Sequence, residues 1–193
     1  MSLLRFIIAL VVLLAILLGF DYLQHRKSSK LREIFALLDA LIHGVIAVII
    51  VLPILGISGI NKILIVMIAF FVAGLLDMDH FVVAKSVRIS DAVKLNLRPY
   101  THSITFALIL GLLVWGISQQ VLLGIVAFIA VTSHVMRDAS DGTTPFLWPL
   151  PVHTDSMRIR KIPYWLYLMI EVSLFVSLQV WAHSPRVNLG TTF

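Results

Sequence analysis

Six stretches of this sequence run without a charged side chain for most of a membrane's thickness. They are Phe6 to Phe20, Gly44 to Ile60, Ile63 to Leu76, Ser103 to Ser118, Gln120 to Ser133 and Ile162 to Ala182, the last interrupted by Glu171. A bilayer's hydrocarbon core is roughly 30 Å thick and a helix rises about 1.5 Å per residue, so such stretches satisfy their backbone groups as helices crossing the core. Several are shorter than a full crossing, and their helices are expected to extend into charged residues at the surface. The expected fold class is all-α, a polytopic membrane helical bundle of about six transmembrane helices. Residues 1–193 form a single membrane domain, with spans near 3–22, 36–60, 62–78, 102–118, 120–138 and 162–182. With 60% hydrophobic and only 13% charged residues, the chain has too little polar surface for a soluble globule and too much apolar length for disorder or a free nucleic-acid-binding domain. The first stretch follows one basic residue, Arg5, and lacks a small-residue cleavage motif near Gly19, so it is read as a retained anchor rather than a signal peptide.

Six spans place the loops alternately on two faces. Of the 15 Lys and Arg residues, all but Arg5, Lys62 and Arg186 fall on one face, in the segments Arg26 to Arg32, Lys85 to Arg98 and Arg137 to Lys161. The positive-inside rule makes that face cytoplasmic and puts both termini on the non-cytoplasmic side of a cell's inner (plasma) membrane. The two longest connections, residues 77–102 and 139–161, lie on the same face, where loops of such length are functional or hold short extra elements.

The histidines and aspartates collect at that face too. Asp39 and His43 stand four apart at the start of span two, hence on one side of a helix. Asp77, Asp79 and His80 end span three, His102 starts span four, and His134 and Asp138, again four apart, close span five. An ionisable group near the hydrocarbon costs a few kcal/mol on insertion scales, so such residues turn inward to pair with one another or with a ligand. Imidazoles and carboxylates on facing helices form the kind of cage seen in helical-bundle metal sites. The chain has no cysteine, so the shell is mixed nitrogen and oxygen, suited to a divalent zinc, manganese or iron ion. His43, Asp77, His80, His102, His134 and Asp138 are the candidate ligands; they can serve two metals, or one metal with outer carboxylates orienting the histidines. The competing reading is that each is an interfacial helix cap. His25, in a basic run, His183, on the far face, and His153, in a loop, are weaker candidates.

Around these residues the segments Asp77-Met78-Asp79-His80, Arg98-Pro99-Tyr100-Thr101-His102-Ser103 and His134-Val135-Met136-Arg137-Asp138, followed by Trp148-Pro149, resemble the YdjM-like family of inner-membrane-associated metal-dependent hydrolases. The family's pattern is an early histidine, Pro-Asp-x-Asp, His-Arg-x-x-Thr-His-Ser, His-x-x-x-Asp and a terminal aromatic-Pro. The resemblance covers roughly residues 39–151, with Thr101-His102-Ser103 its most specific part. It implies that His43 is the early histidine, Asp77 and Asp79 the carboxylates, His102 the central histidine, and His134 and Asp138 the closing pair. The chain departs from the pattern at Leu76, in place of the proline, and at Leu97, where the family often has a histidine; His80 is the residue placed to substitute for the latter.

The chemistry expected is hydrolysis through a metal-activated water, because a bound metal lowers the pKa of water to around 7 without a protein nucleophile. There is no Gly-x-Ser-x-Gly elbow and no Gly-rich phosphate loop for covalent or nucleotide-driven chemistry. Asp79 or Asp141 is the expected general base. Arg98 and Arg137 are expected to hold an anionic substrate oxygen such as a phosphate, their other role being charge topology and headgroup contact. Thr101 and Ser103 flank His102 and are expected either to orient it and bind substrate or to cap the helix. The expected partners are the lipid bilayer and a phosphoester of a lipid or lipid-linked molecule, with no nucleic acid. The rivals are a metal-ion transporter or sensor built on the same ligands, in which Glu171 belongs to an ion path, and a scaffold whose polar cluster only specifies helix pairing.

Overall fold

Each charge-free stretch folds as helix in the computed structural model, which describes residues 2–25, 32–57, 61–95, 98–148 and 161–184. The helices are α1 (Leu3–His25), α2 (Arg32–Val51), α3 (Lys62–Gly74), α4 (Asp79–Ala84), α5 (Ile89–Ala92), α6 (Ile104–Ser118), α7 (Val121–Asp141) and α8 (Tyr164–Ala182). Five segments are long and apolar enough to cross a membrane: Leu3–Phe20, Glu33–Gly56, Lys62–Ala84, Val121–Asp141 and Tyr164–Ala182. The sixth expected span is α6, apolar but only 15 residues long. It folds back on α7 as an antiparallel hairpin through Gln119, whose left-handed backbone (φ 56°) makes the turn.

Two spans are less regular than the expected limits imply. The span expected at 36–60 changes character at Pro53, which cannot donate to a helical ladder; the chain tightens into a 3-10 turn over Leu52–Gly56, and residues 58–60 lie outside the described residues. The span expected at 62–78 breaks after Gly74. A 3-10 turn over Leu76–Met78, closed by the Met78 N–H donating to the Leu75 carbonyl at 3.0 Å, precedes the short α4. The connection 77–102 therefore contains α4 and α5, and it is this break that aims the acidic segment inward.

Helix α7 is the axis of the bundle. Nearly every residue from Leu122 to Ser140 is buried, on all sides of the helix, and α2, α3, α6 and α8 pack around it. The outer surface is apolar: Ile63 is 71% exposed, Ile117 77% and Val180 68%. Inside lie His43, His102, His134, Asp138 and Glu171, each at most 2% exposed. A protein with its ionisable groups inside and its aliphatic groups outside is built for lipid, where association depends on close packing and internal polar pairs. Glycines permit that packing. A Cβ on Gly124 would lie 2.6 Å from the Gly111 carbonyl oxygen, and one on Gly44 would meet the Phe70 ring at 2.8 Å, so the α6–α7 and α2–α3 crossings both require a bare backbone.

Candidate functional site

Four elements deliver polar side chains to one end of the bundle. The 3-10 turn after α3 has three residues per turn, so Asp77 and His80, three apart, share a side. His102 precedes α6, held by its N–H donating to the Pro99 carbonyl at 3.1 Å. Ser103 is the N-cap of α6; its hydroxyl accepts from the Phe106 N–H at 3.1 Å, satisfying a first-turn donor and fixing where the helix starts. On α7, His134 and Asp138 stand one turn apart.

The donor atoms converge. Asp77 Oδ1 lies 3.2 Å from His102 Nε2 and 3.5 Å from His134 Nε2; Asp138 Oδ2 lies 3.2 Å from His102 Nε2 and 3.3 Å from His134 Nε2. These four atoms are all within 4.8 Å of one another. His134 Nε2 and Asp138 Oδ2 are buried with no hydrogen-bond partner among the described residues. His102 Nε2 and Asp77 Oδ1 have hydrogen-bond geometry, whereas His134 Nε2 and Asp138 Oδ2 sit at contact distance without it and point into common space. A second group, Asp79, His80 and His102, adjoins the first: His80 Nδ1 is 3.0 Å from Asp79 Oδ1, and His102 Nδ1 is 3.3 Å from Asp79 Oδ2.

His43 stands beside the first group rather than in it. Its ring stacks on that of His134 with centroids 3.7 Å apart, and its Nε2 accepts from Arg137 at 3.1 Å. The two arginines have different surroundings. Arg137 is buried, donates to Asp39 and lies over the Phe20 ring at 5.2 Å. Arg98 reaches Asp138 Oδ1 at 3.1 Å and Asp77 Oδ1 at 3.9 Å while keeping 22% of its side chain exposed. Burial opposes its charge, but the Asp138 and Asp77 carboxylates outweigh that and raise its pKa above the usual guanidinium value. Thr101 Oγ1 lies 3.4 Å from His102 Nδ1. Asp141, one turn past Asp138, is exposed at the end of α7. Glu171 pairs with the Ser133 hydroxyl, which donates to Oε2 at 3.0 Å, rather than with the histidine cage. His153, Pro149 and Leu97 lie outside the described residues.

Two cavities meet at this cluster, and neither was visible in the sequence because both arise from helix crossings. A groove of about 870 Å³ runs between α2 and the α3–α5 segment, with Leu37, Leu41, Phe71 and Leu75 on its walls and Asp77, His80 and Arg98 at its polar end. Those four apolar side chains are each about half exposed, between 47% and 54%, so the groove opens sideways onto the lipid-facing surface. A smaller chamber of about 390 Å³ on the other side of Arg98 is lined by Asp138, Asp141, Lys161, Tyr164 and Tyr22. Asp39, Arg98 and Asp141 border both.

Comparison with known proteins agrees with a multi-pass membrane protein. Over 164 residues the chain is 32% identical to "Transmembrane protein 267" of Danio rerio, covering 81% of this chain and 69% of the relative. It is 32% identical over 146 residues to the Xenopus laevis protein of the same name, covering 72% and 65%, and 29% identical over 116 residues to that of Bos taurus, covering 56% and 51%. No solved structure matches. The profile of the YdjM inner membrane proteins matches residues 38–192, which takes in every donor residue described above. This chain is a multi-pass membrane protein that belongs to the YdjM inner membrane protein family.

Proposed function

We propose that the protein is a membrane-bound, metal-dependent hydrolase that cleaves a phosphoester of a lipid or lipid-linked molecule at the cytoplasmic face of the inner membrane. The observation that carries this reading is the groove: an apolar trough open to the bilayer that ends on a cluster of inward-facing imidazoles and carboxylates beside a partly exposed guanidinium. An amphiphile fits such a trough with its chain between α2 and α3 and its phosphate against Arg98, whose fork matches phosphate oxygens.

The residues fit a divalent cation. Metal–donor distances of about 2.0–2.2 Å in a tetrahedron imply donor–donor edges of about 3.3–3.6 Å, and the four nitrogen–oxygen separations in the first group are 3.2 to 3.5 Å, with all four atoms within 4.8 Å of one another. Asp77, His102, His134 and Asp138 would hold the ion, which supplies Lewis acidity toward a phosphoryl oxygen and toward water. His43, stacked on His134, positions that ring, and Arg137 in turn holds His43. Of the two carboxylates that border both cavities, Asp39 is held by Arg137 and Asp141 is exposed, so Asp141 is assigned the proton-accepting role. Asp79, enclosed by His80 and His102, is assigned with those histidines. The twelve basic residues on this side support a cytoplasmic position for the site, with both termini on the opposite face.

The test is metal-dependent release of phosphate or headgroup from lipid extracts by the purified protein, set against metal uptake into proteoliposomes. Turnover that needs a divalent ion and is lost in Arg98→Ala supports the hydrolase. Uptake without turnover replaces it with a transporter.

A further inference from the structure

Both ring nitrogens of His102 face carboxylates. Its Nε2 belongs to the group with Asp77, His134 and Asp138, while its Nδ1 lies 3.3 Å from Asp79 Oδ2 on the other side. Resting on the metal-dependent reading above, we propose that the site is dinuclear: Asp79, His80 and His102 form a second divalent-cation centre, with Asp77 and His102 placed between the two.

The reason lies in atoms that the first centre leaves unsatisfied. Both oxygens of Asp79 and Nδ1 of His80 are buried, and none has a hydrogen-bond partner among the described residues. A buried carboxylate with neither of its oxygens hydrogen-bonded is costly unless a charge compensates it. Were Asp79 only an outer carboxylate orienting His102, it would accept an aligned hydrogen bond from Nδ1–H. Instead His102 Nδ1 has its hydrogen-bond geometry with Thr101 Oγ1, at 3.4 Å. His80 Nδ1 stands 3.0 Å from Asp79 Oδ1 and 3.7 Å from Asp77 Oδ1, again at contact distance without alignment. The His80 and His102 rings meet edge to face with centroids 5.0 Å apart, so their nitrogens reach this space from two directions. Separations of 3.0 to 3.7 Å among nitrogen and oxygen donors match those of a transition-metal shell. Asp77 Oδ1, 3.7 Å from His80 Nδ1, adjoins the second group, so two ions held here would lie side by side and would supply Lewis acidity to one phosphoryl group.

The expected ligands are Zn2+ or Mn2+, and the readouts are stoichiometry and spin coupling rather than activity. The full chain in detergent, loaded with Zn2+ and freed of excess, is expected to retain two ions; His80→Ala and Asp79→Asn should each retain one, and Asp138→Asn should lose the first-centre ion. Loaded with Mn2+, the wild type should give an exchange-broadened resonance that becomes the resolved six-line spectrum of an isolated ion in His80→Ala. One ion in the wild type, lost in Asp138→Asn but unchanged in His80→Ala and Asp79→Asn, overturns the second centre and leaves the first intact. No retained ion at all overturns both. The Asp79→Asn variant keeps volume and polarity, so it reports on ligation if His80→Ala fails to fold.

Discussion

The Nδ1–H of His134 donates to the backbone carbonyl of Ala73 across 2.8 Å. A carbonyl only accepts, so Nδ1 carries a proton, and Nε2 is the ring atom turned toward Asp77 and Asp138. The bond joins α7 to the last turn of α3, one step before the break that redirects Asp77. One contact thus fixes the orientation of an imidazole and the position of a carboxylate together.

A bound cation should be visible as stability. Zn2+ at a hundredfold excess over its Kd adds about 2.7 kcal/mol to the folded state, so the melting temperature in detergent should rise on Zn2+ addition and fall on chelation. In Asp138→Asn both shifts should shrink to what the second centre alone contributes; shifts of undiminished size would remove Asp138 from the first centre.

Arg98 and Arg137 should separate cleanly. Arg98→Lys keeps the charge but loses the two-pronged geometry, so the KM for an anionic phosphoester should rise by about tenfold, equivalent to about 1.4 kcal/mol, with metal content unchanged.

Arg137 serves the fold instead. Arg137→Ala leaves the Asp39 carboxylate without its buried donor, a loss of about 3–5 kcal/mol for a broken buried pair. Asp39→Ala in the same chain should recover part of that loss, giving a positive coupling in a double-mutant cycle read by chemical denaturation. Strict additivity would mean the pair is incidental.

Two glycines on α6 offer an internal contrast. Gly111 faces α7, where an added Cβ would lie 2.9 Å from the Gly124 carbonyl oxygen, whereas a Cβ on Gly116 would meet nothing within 4 Å. Gly111→Ala should destabilise by about 1–3 kcal/mol through overpacking. Gly116→Ala should be neutral or stabilise by up to about 1 kcal/mol through helix propensity. Thermal melts of the two variants decide it.

Filling the groove should discriminate by chain length. Leu75 lines it and is 51% exposed; Leu75→Trp should slow turnover of long-chain phosphoesters several-fold and leave a short water-soluble phosphoester unaffected. Equal losses for both would place the chain elsewhere.

The sequence made the helices legible because charge-free length is a one-dimensional property, and it made the His134–Asp138 pair legible because four residues bring side chains to one face. The same spacing linked Asp39 to His43, yet Asp39 answers to Arg137, which is 98 residues away; nothing local announces that partnership. The break at Leu75 was also hidden, since no proline or glycine pattern requires it beyond Gly74. Glu171 was readable as a buried acid, but its partner Ser133 depends on how α8 lies on α7. The groove, made by the divergence of two helices beyond a glycine contact, has no signature along the chain at all.

Helix α7 carries Ser133, His134, Arg137 and Asp138 and has almost no outward surface. During biogenesis such a segment is a poor client for the insertion machinery when presented alone, because each polar group must find its counterpart before lipid surrounds it. Its hairpin neighbour α6 is greasy and only two residues upstream. The pair therefore leaves the ribosome as a joint substrate for insertion, and mutations on α7 will register first as lost yield at the membrane and only afterwards as altered chemistry.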